Sequence, residues 1–150
     1  MMDVATHSTD TYPPGRRHLT LIFRLGPERF GLPLSAVMEV FESPVVVYPI
    51  PGTSTWVRGI LNHHGRVIPL LNAAALLQAT GAAESGPVIL LQLAGEPVGW
   101  QVDQIECLEE VQAEGPIVDG RRRAWFRGAL LTLIEPNLFG ESVVQQLSGV

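Results

Sequence analysis

The chain has 150 residues, 46% of them hydrophobic and 17% charged, enough for one ordinary domain or two small ones sharing a core. Its net charge of −5 argues against a nucleic-acid binder, which needs a basic face to neutralise phosphates. All ten positive side chains are arginine and the single cysteine is Cys107, so a Schiff-base lysine, a phosphate-loop lysine, an internal disulfide and a cysteine-based zinc site are excluded.

Residues 1–17 are rich in Thr, Ser, Pro and Gly and are read as a disordered tail without a signal-peptide core. No apolar run approaches the roughly 20 residues of a membrane helix, and one unpaired cysteine fits a reducing compartment, so a cytoplasmic protein is expected. From His18, LTLIFRLG and RFGLPL read as a hairpin. SAVMEVFES reads as one helical turn, because Val37, Val40 and Phe41 fall at i, i+3 and i+4. VVVYPIP is a β-branched run ended by Pro49 and Pro51. WVRGIL and RVIPLLN flank NHHG, which predicts a hairpin loop of about three to five residues with Gly65 at positive φ. NAAALLQATG predicts a helix capped by Asn72 and stopped by Gly81. PVILLQLAG and EPVGWQVDQI form a second hairpin, and IECLEEVQ continues it or turns briefly helical. GPIVDGRRR reads as an exposed connection, AWFRGALLTLIEP as a strand region, and residues 136–148 as a terminal helix opened by Pro136. The pattern is all-β with a few short helices. A turn about every 8 to 12 residues suggests small barrels or a sandwich.

The chain also repeats itself. ERFGLPLSAVMEVFE from Glu28 matches EPVGWQVDQIECLEE from Glu96, pairing Gly31 with Gly99 and Val37 with Ile105 at an offset of 68. WVRGIL at Trp56 matches WFRGAL at Trp125 at an offset of 69. The repeats run from about 18 to 82 and from about 83 to 140. Each is too small to bury a good core alone. Two small barrels packed together are expected, with a binding groove at their junction.

His63 and His64 invite a metal or catalytic reading, but adjacent strand residues point in different directions, and no third ligand lies within local reach. Exposed turn histidines are the simpler reading, and no metal or cofactor is expected. Ser35 and Ser54 lack a histidine at motif spacing, and no glycine-rich phosphate loop precedes a helix. Glu106, Glu109, Glu110 and Glu114 read as a solvated face, Arg121 to Arg123 as a solvated turn, Cys107 as a small core residue, and Trp56 and Trp125 as core or junction aromatics.

Leu-x-Phe-x-Leu-Gly, then F-G-L-P-L-x-x-V-x-E-V, W-V-R-G-I-L-N-x-x-G-x-V-I-P-L-L and V-G-W-Q-V-D-x-I, in this order from His18 to Ser142, resemble the CheW-like domain of bacterial chemotaxis coupling proteins. The resemblance implies two five-stranded SH3-like β-barrels around a shared apolar core. It also implies a non-enzymatic adaptor between the cytoplasmic tip of a methyl-accepting chemoreceptor and the regulatory domain of a CheA-type histidine kinase of a two-component system. Such an adaptor is cytoplasmic and recruited to membrane-associated receptor arrays, with no nucleic-acid partner and no membrane insertion. The receptor helix would lie in the groove, at Val37, Glu39, Gly59, Asn62, His64, Gly99 and Val102. The kinase would meet the first barrel around Phe23, Leu25 and Phe30. The family carries arginine in this turn where the chain has His64, and Asp in the following P-x-x-D-L segment where it has Asn72; imidazole cannot offer the bidentate fork of a guanidinium to Glu39, although Arg58 or Arg66 could substitute. Two alternatives stay open: an adaptor of a divergent non-flagellar pathway (pili, gliding or second-messenger signalling), and a metalloenzyme dependent on His63 and His64.

Overall fold

The structure is a computed structural model that describes residues 15–42, 46–50, 56–80 and 86–140. Among the described residues there are eleven strands: β1 (Arg17–Leu25), β2 (Glu28–Pro33), β3 (Val37–Phe41), β4 (Val57–His63), β5 (Arg66–Asn72), β6 (Val88–Leu93), β7 (Glu96–Gln101), β8 (Gln104–Gln112), β9 (Glu114–Val118), β10 (Arg121–Phe126) and β11 (Ala129–Ile134). One short helix, α1 (Ala73–Leu77), follows β5. Its N-cap is Asn72, whose side chain accepts from the Ala75 N–H at 3.2 Å. The helix ends at Gln78, which takes the left-handed conformation; the expected stop, Gly81, lies outside the described residues, as do Ser54 and most of the N-terminal tail. Residues 136–140 are helical, and the rest of the terminal helix expected to 148 also lies outside.

The NHHG loop is shorter than its composition suggests. His63 pairs with Arg66, leaving two central residues, His64 and Gly65, with φ of 52° and 82°. Two positive φ values define a type I′ turn, whose twist matches that of the flanking strands. Ala94–Gly95, Asp119–Gly120 and Arg127–Gly128 repeat the arrangement.

Two local readings are corrected. SAVMEVFES is a 3-10 turn, Leu34–Ala36, leading into β3. Its register shifts between Val37 and Glu39, so Met38 is bulged. Val37 and Val40 then face one core and Phe41 another. A bulged strand buried on two sides mimics helical spacing. GPIVDGRRR is likewise not a loop; it supplies β9 and the start of β10.

The strands form a six-stranded sheet, ordered β8-β1-β2-β11-β10-β9, and a five-stranded sheet, ordered β3-β6-β7-β5-β4. Neither sheet corresponds to one copy of the repeat. The β1–β2 hairpin joins strands of the second copy, and the β6–β7 hairpin joins strands of the first. The register shows the symmetry: Val37 pairs with Leu91, and Ile105 pairs with Phe23. Each sheet is an SH3-like subdomain, and each contains one crossing of chain from the other half.

Burial follows from this exchange. Leu21, Phe23 and Leu25 of β1 and Ile89, Leu91 and Leu93 of β6 enter one shared core with Trp100, Leu77 and Phe139. The opposite faces of the same strands fill two smaller cores. Ile22 packs with Phe126, Leu131 and Leu133; Val88 and Leu90 pack with Leu61, Ile68 and Leu70. Strands buried on both faces read as continuous apolar runs rather than alternating ones. Each such side chain contributes about 1.5–3 kcal/mol of burial.

Gly31 and Gly99 pair in parallel with Leu133 and Leu70. A Cβ on Gly31 would sit 2.7 Å from Thr20 Cγ2, and one on Gly99 3.2 Å from Leu70 Cδ1, so both small barrels exclude a side chain at the same place. Leu70 and Leu133 are 63 positions apart, not 69. The Trp56 and Trp125 blocks therefore do not superpose: Trp56 precedes β4, whereas Trp125 lies near the end of β10, with Arg127 and Gly128 in the following turn. The Glu28/Glu96 block is the true internal repeat.

Candidate functional site

Strands β3 and β4 are the two edges of the five-stranded sheet. Curling of that sheet brings the edges together, and no β3–β4 ladder joins them among the described residues. Side chains meet there instead. Glu39 Oε1 on β3 lies 2.9 Å from His63 Nε2 at the end of β4. The His63 ring packs edge-on against Phe41, centroids 5.7 Å apart, and against His64 at 4.2 Å. Asn62 Oδ1 accepts from the Gly65 N–H at 3.0 Å and closes the turn. The histidine that meets Glu39 is thus His63; neither Arg58 nor Arg66 forms an ion pair with it among the described contacts. Donor atoms of Glu39, His63 and His64 all lie within 4.8 Å of one another. Glu39 is the third donor group that local sequence reading does not supply, because it stands 24 residues away.

Beside this corner the segment 46–50 runs along β4, with Tyr48 and Ile60 exchanging two backbone hydrogen bonds. Gly59 has φ of 152°, and a Cβ there would sit 2.5 Å from the Tyr48 carbonyl oxygen. Only glycine lets the two backbones approach this closely. Met38, Tyr48, Ile50 and Val67 are exposed apolar side chains of this region.

The predicted groove residues divide into two groups. Glu39, Asn62 and His64 are exposed and cluster at the corner, and Val37 is half-buried beside it. Gly59, Gly99 and Val102 are enclosed; Val102 is fully buried in the shared core and cannot line an open groove. Phe23, Leu25 and Phe30 require a correction. All three are at most 1% exposed and belong to the shared core, so their side chains cannot present a docking surface without unfolding the protein.

A second exposed face lies on the six-stranded sheet. In β10, Ala124 and Phe126 point inward while Arg123 and Trp125 point out. Trp125 is 59% exposed and pairs across the ladder with Leu130, 50% exposed. Val118 of β9 adds a third apolar side chain, and a concavity lined by Glu114, Pro116, Arg123, Trp125 and Thr132, among others, lies here. Sequence reading took Trp125 as a core or junction aromatic and Arg121 to Arg123 as a solvated turn. The structure exposes the tryptophan, buries Arg122 and ties Arg121 Nη1 to the Leu77 carbonyl at 3.0 Å. The period-two alternation Arg123, Ala124, Trp125, Phe126 carried the signal, once a strand was assigned.

Glu106 is not part of a solvated face. It accepts from Arg29 Nε at 2.7 Å and Arg24 Nε at 3.2 Å. The Arg29 hydrogen bond chiefly holds its carboxyl below the usual range, helped by Arg24 and partly opposed by burial. Burial pushes the Cys107 thiol up, keeping it protonated and a poor nucleophile.

Two SH3-like subdomains that exchange strands around one core, with exposed apolar side chains on each, define a small two-barrel β protein. The chain belongs to the CheW-like domain family, which it matches over residues 19–134. It is 35% identical over 131 residues to the FrzA protein of Myxococcus xanthus, spanning 85% of this chain and 70% of that protein. It is 27% identical over 137 residues to the chemotaxis protein CheW of Rhizobium meliloti, spanning 87% and 84%. The crystal structure of the scaffolding protein TtCheW from Thermoanaerobacter tengcongensis superposes with a TM-score of 0.71 at 20% identity, covering 82% of this chain and 92% of that one, a likeness of fold. The chain is a CheW-like adaptor of chemotaxis-type or related motility signalling.

Proposed function

We propose that this adaptor couples the cytoplasmic tip of a methyl-accepting chemoreceptor to the regulatory domain of a CheA-type histidine kinase, with no catalysis of its own. The observation that carries the reading is the pair of exposed apolar faces, one on each sheet, joined through the shared core. The β3/β4 corner suits an amphipathic receptor helix: Met38, Tyr48 and Val67 offer apolar contact, and Glu39, Asn62 and His64 offer polar fixings. The β9–β11 face suits the kinase, with Trp125 as aromatic anchor and Arg123 at its rim. No helix among the described residues is long and apolar enough to cross a membrane, and recruitment to receptor arrays in the cytoplasm would run through these protein contacts.

Binding of the folded chain to a receptor cytoplasmic fragment and to a kinase regulatory domain, measured separately by calorimetry, tests the proposal. Trp125→Ala should weaken kinase binding at least about tenfold and leave the receptor unaffected, since a central tryptophan anchor is worth roughly 2 kcal/mol or more. Met38→Asp should do the reverse. Equal loss of both partners in either variant would contradict the assignment of faces. Failure of the parent chain to bind either partner at tens of micromolar would remove the adaptor reading itself.

A second reading, an adaptor of a divergent non-flagellar motility pathway, is favoured by the replacement of the family's turn arginine with His64 and by the higher identity to FrzA than to CheW. A panel of receptor fragments from different motility systems would separate the two.

A further inference from the structure

We propose that Glu39, His63 and His64 form a binding site for a divalent transition metal of the zinc class, which staples the seam of the five-stranded barrel. Two imidazoles and a carboxylate are a donor set for zinc, cobalt or nickel, and a poor one for magnesium or calcium. Around a tetrahedral ion with bonds of about 2.0–2.2 Å, donor atoms stand roughly 3.3–3.5 Å apart. Here all three donors already lie within 4.8 Å of one another, with Glu39 Oε1 and His63 Nε2 at 2.9 Å. Closure around an ion needs a side-chain shift on the order of 1 Å, and His64, exposed at the tip of its turn, can make it. Phe41 orients the His63 ring, and the Asn62 hydrogen bond fixes the turn that carries His64. Arg66, opposite His63 in the ladder, is solvent-exposed, so water screens its charge from the site.

The other subdomain supplies an independent argument. Its edge strand β8 carries Glu109, and Arg127, at the first position of the β10–β11 turn, reaches it at 3.6 Å. His64 occupies the same position of the β4–β5 turn, and Glu39 lies on the corresponding edge strand. One seam is crossed by a guanidinium whose charge is permanent. The other is crossed by imidazoles, which need a metal or a proton to act as cations. The metal site stands whether or not the corner docks a receptor.

The test uses the full chain, free of any affinity tag, titrated with Co²⁺ and with Zn²⁺. One equivalent should bind, seen as a visible cobalt absorption band and as a rise in melting temperature with zinc. His64→Asn retains a residue suited to positive φ, so it should fold normally yet lose at least tenfold in affinity, as should Glu39→Gln. A His7→Ala/His18→Ala double variant should bind as the parent does. Absent binding, undiminished binding by folded His64→Asn, loss in the double variant, or equal displacement by Mg²⁺ would each overturn the proposal.

Discussion

Glu106 shows how one backbone irregularity redirects a charge. The β1–β8 register shifts so that Ile22 faces Cys107 and Phe23 faces Ile105, which leaves Glu106 as the bulged residue. The bulge lifts its carboxylate out of strict alternation and aims it at Arg24 and Arg29. The pair is more enclosed than an ordinary surface bridge, with side chains 16% to 29% exposed, but solvent still screens it. Because the folded carboxyl is held below its ordinary value of 4.5, its stabilisation is present above that pH and lost as pH falls through the lowered folded value. Glu106→Gln should cost about 1 kcal/mol at pH 7 by urea denaturation, and the gap to the parent chain should narrow as pH falls below 4.5. A gap unchanged at low pH would show that packing, not charge, is responsible. Neither Glu106 nor the Glu39–His63 contact was legible in the sequence, for one reason. Their partners lie 82, 77 and 24 residues away, and only pairing of distant strands brings them together.

Elements were more legible where their signals were local. Asn72 ahead of Ala-Ala-Ala-Leu-Leu is such a signal, because its side chain satisfies an N–H that the first helical turn leaves without a partner. The helix α1 is only five residues long and is held by burial of Ala73, Ala74 and Leu77 in the shared core. Asn72→Ala should therefore lower stability by about 1 kcal/mol, read as a lower urea midpoint at unchanged slope. A change in slope would indicate that more than the cap had been lost. The hairpins at Gly26, Gly65 and Gly95 were equally legible, since glycine at a turn reports the positive φ it must adopt; the turn at Gly128 was not, because AWFRGALLTLIEP reads as one strand region and the structure breaks it into β10 and β11. The β3 and β9 segments were not. Val37, Val40 and Phe41 fit helical periodicity as well as a bulged strand does, and the triple arginine of β10 resembles a solvated loop until Ala124 and Phe126 are seen to fill a barrel. In both cases pairing with a remote strand overrode the local pattern.

At the scale of the molecule the exchange of hairpins is the dominant fact. β3 leaves its own copy to pair with β6, and β8 leaves its copy to pair with β1. Chains cut into residues 1–82 and 83–150 should therefore each fail to fold, because each would leave strand edges and one wall of the shared core exposed. Mixed, the halves should recover the β-sheet circular dichroism and a single cooperative melt. A half that melts cooperatively alone would show that the sheets are more autonomous than their topology implies. The same exchange makes one face's environment depend on the other's core, a physical basis for the proposed holding of two partners in a fixed relation.

The sequence by itself determined the class of fold, the glycine turns, the two apolar hairpins, the duplication marked by Gly31 and Gly99, and the family, because each is written in short-range pattern or in the order of motifs. Only the tertiary structure decided which strands share a sheet, that Phe23, Leu25 and Phe30 are core rather than surface, that Trp125 is exposed, and that Glu39 meets His63. The physical reason is that a strand's two faces look alike in sequence when both are apolar, and their fate is fixed only by what the other half of the chain packs against them.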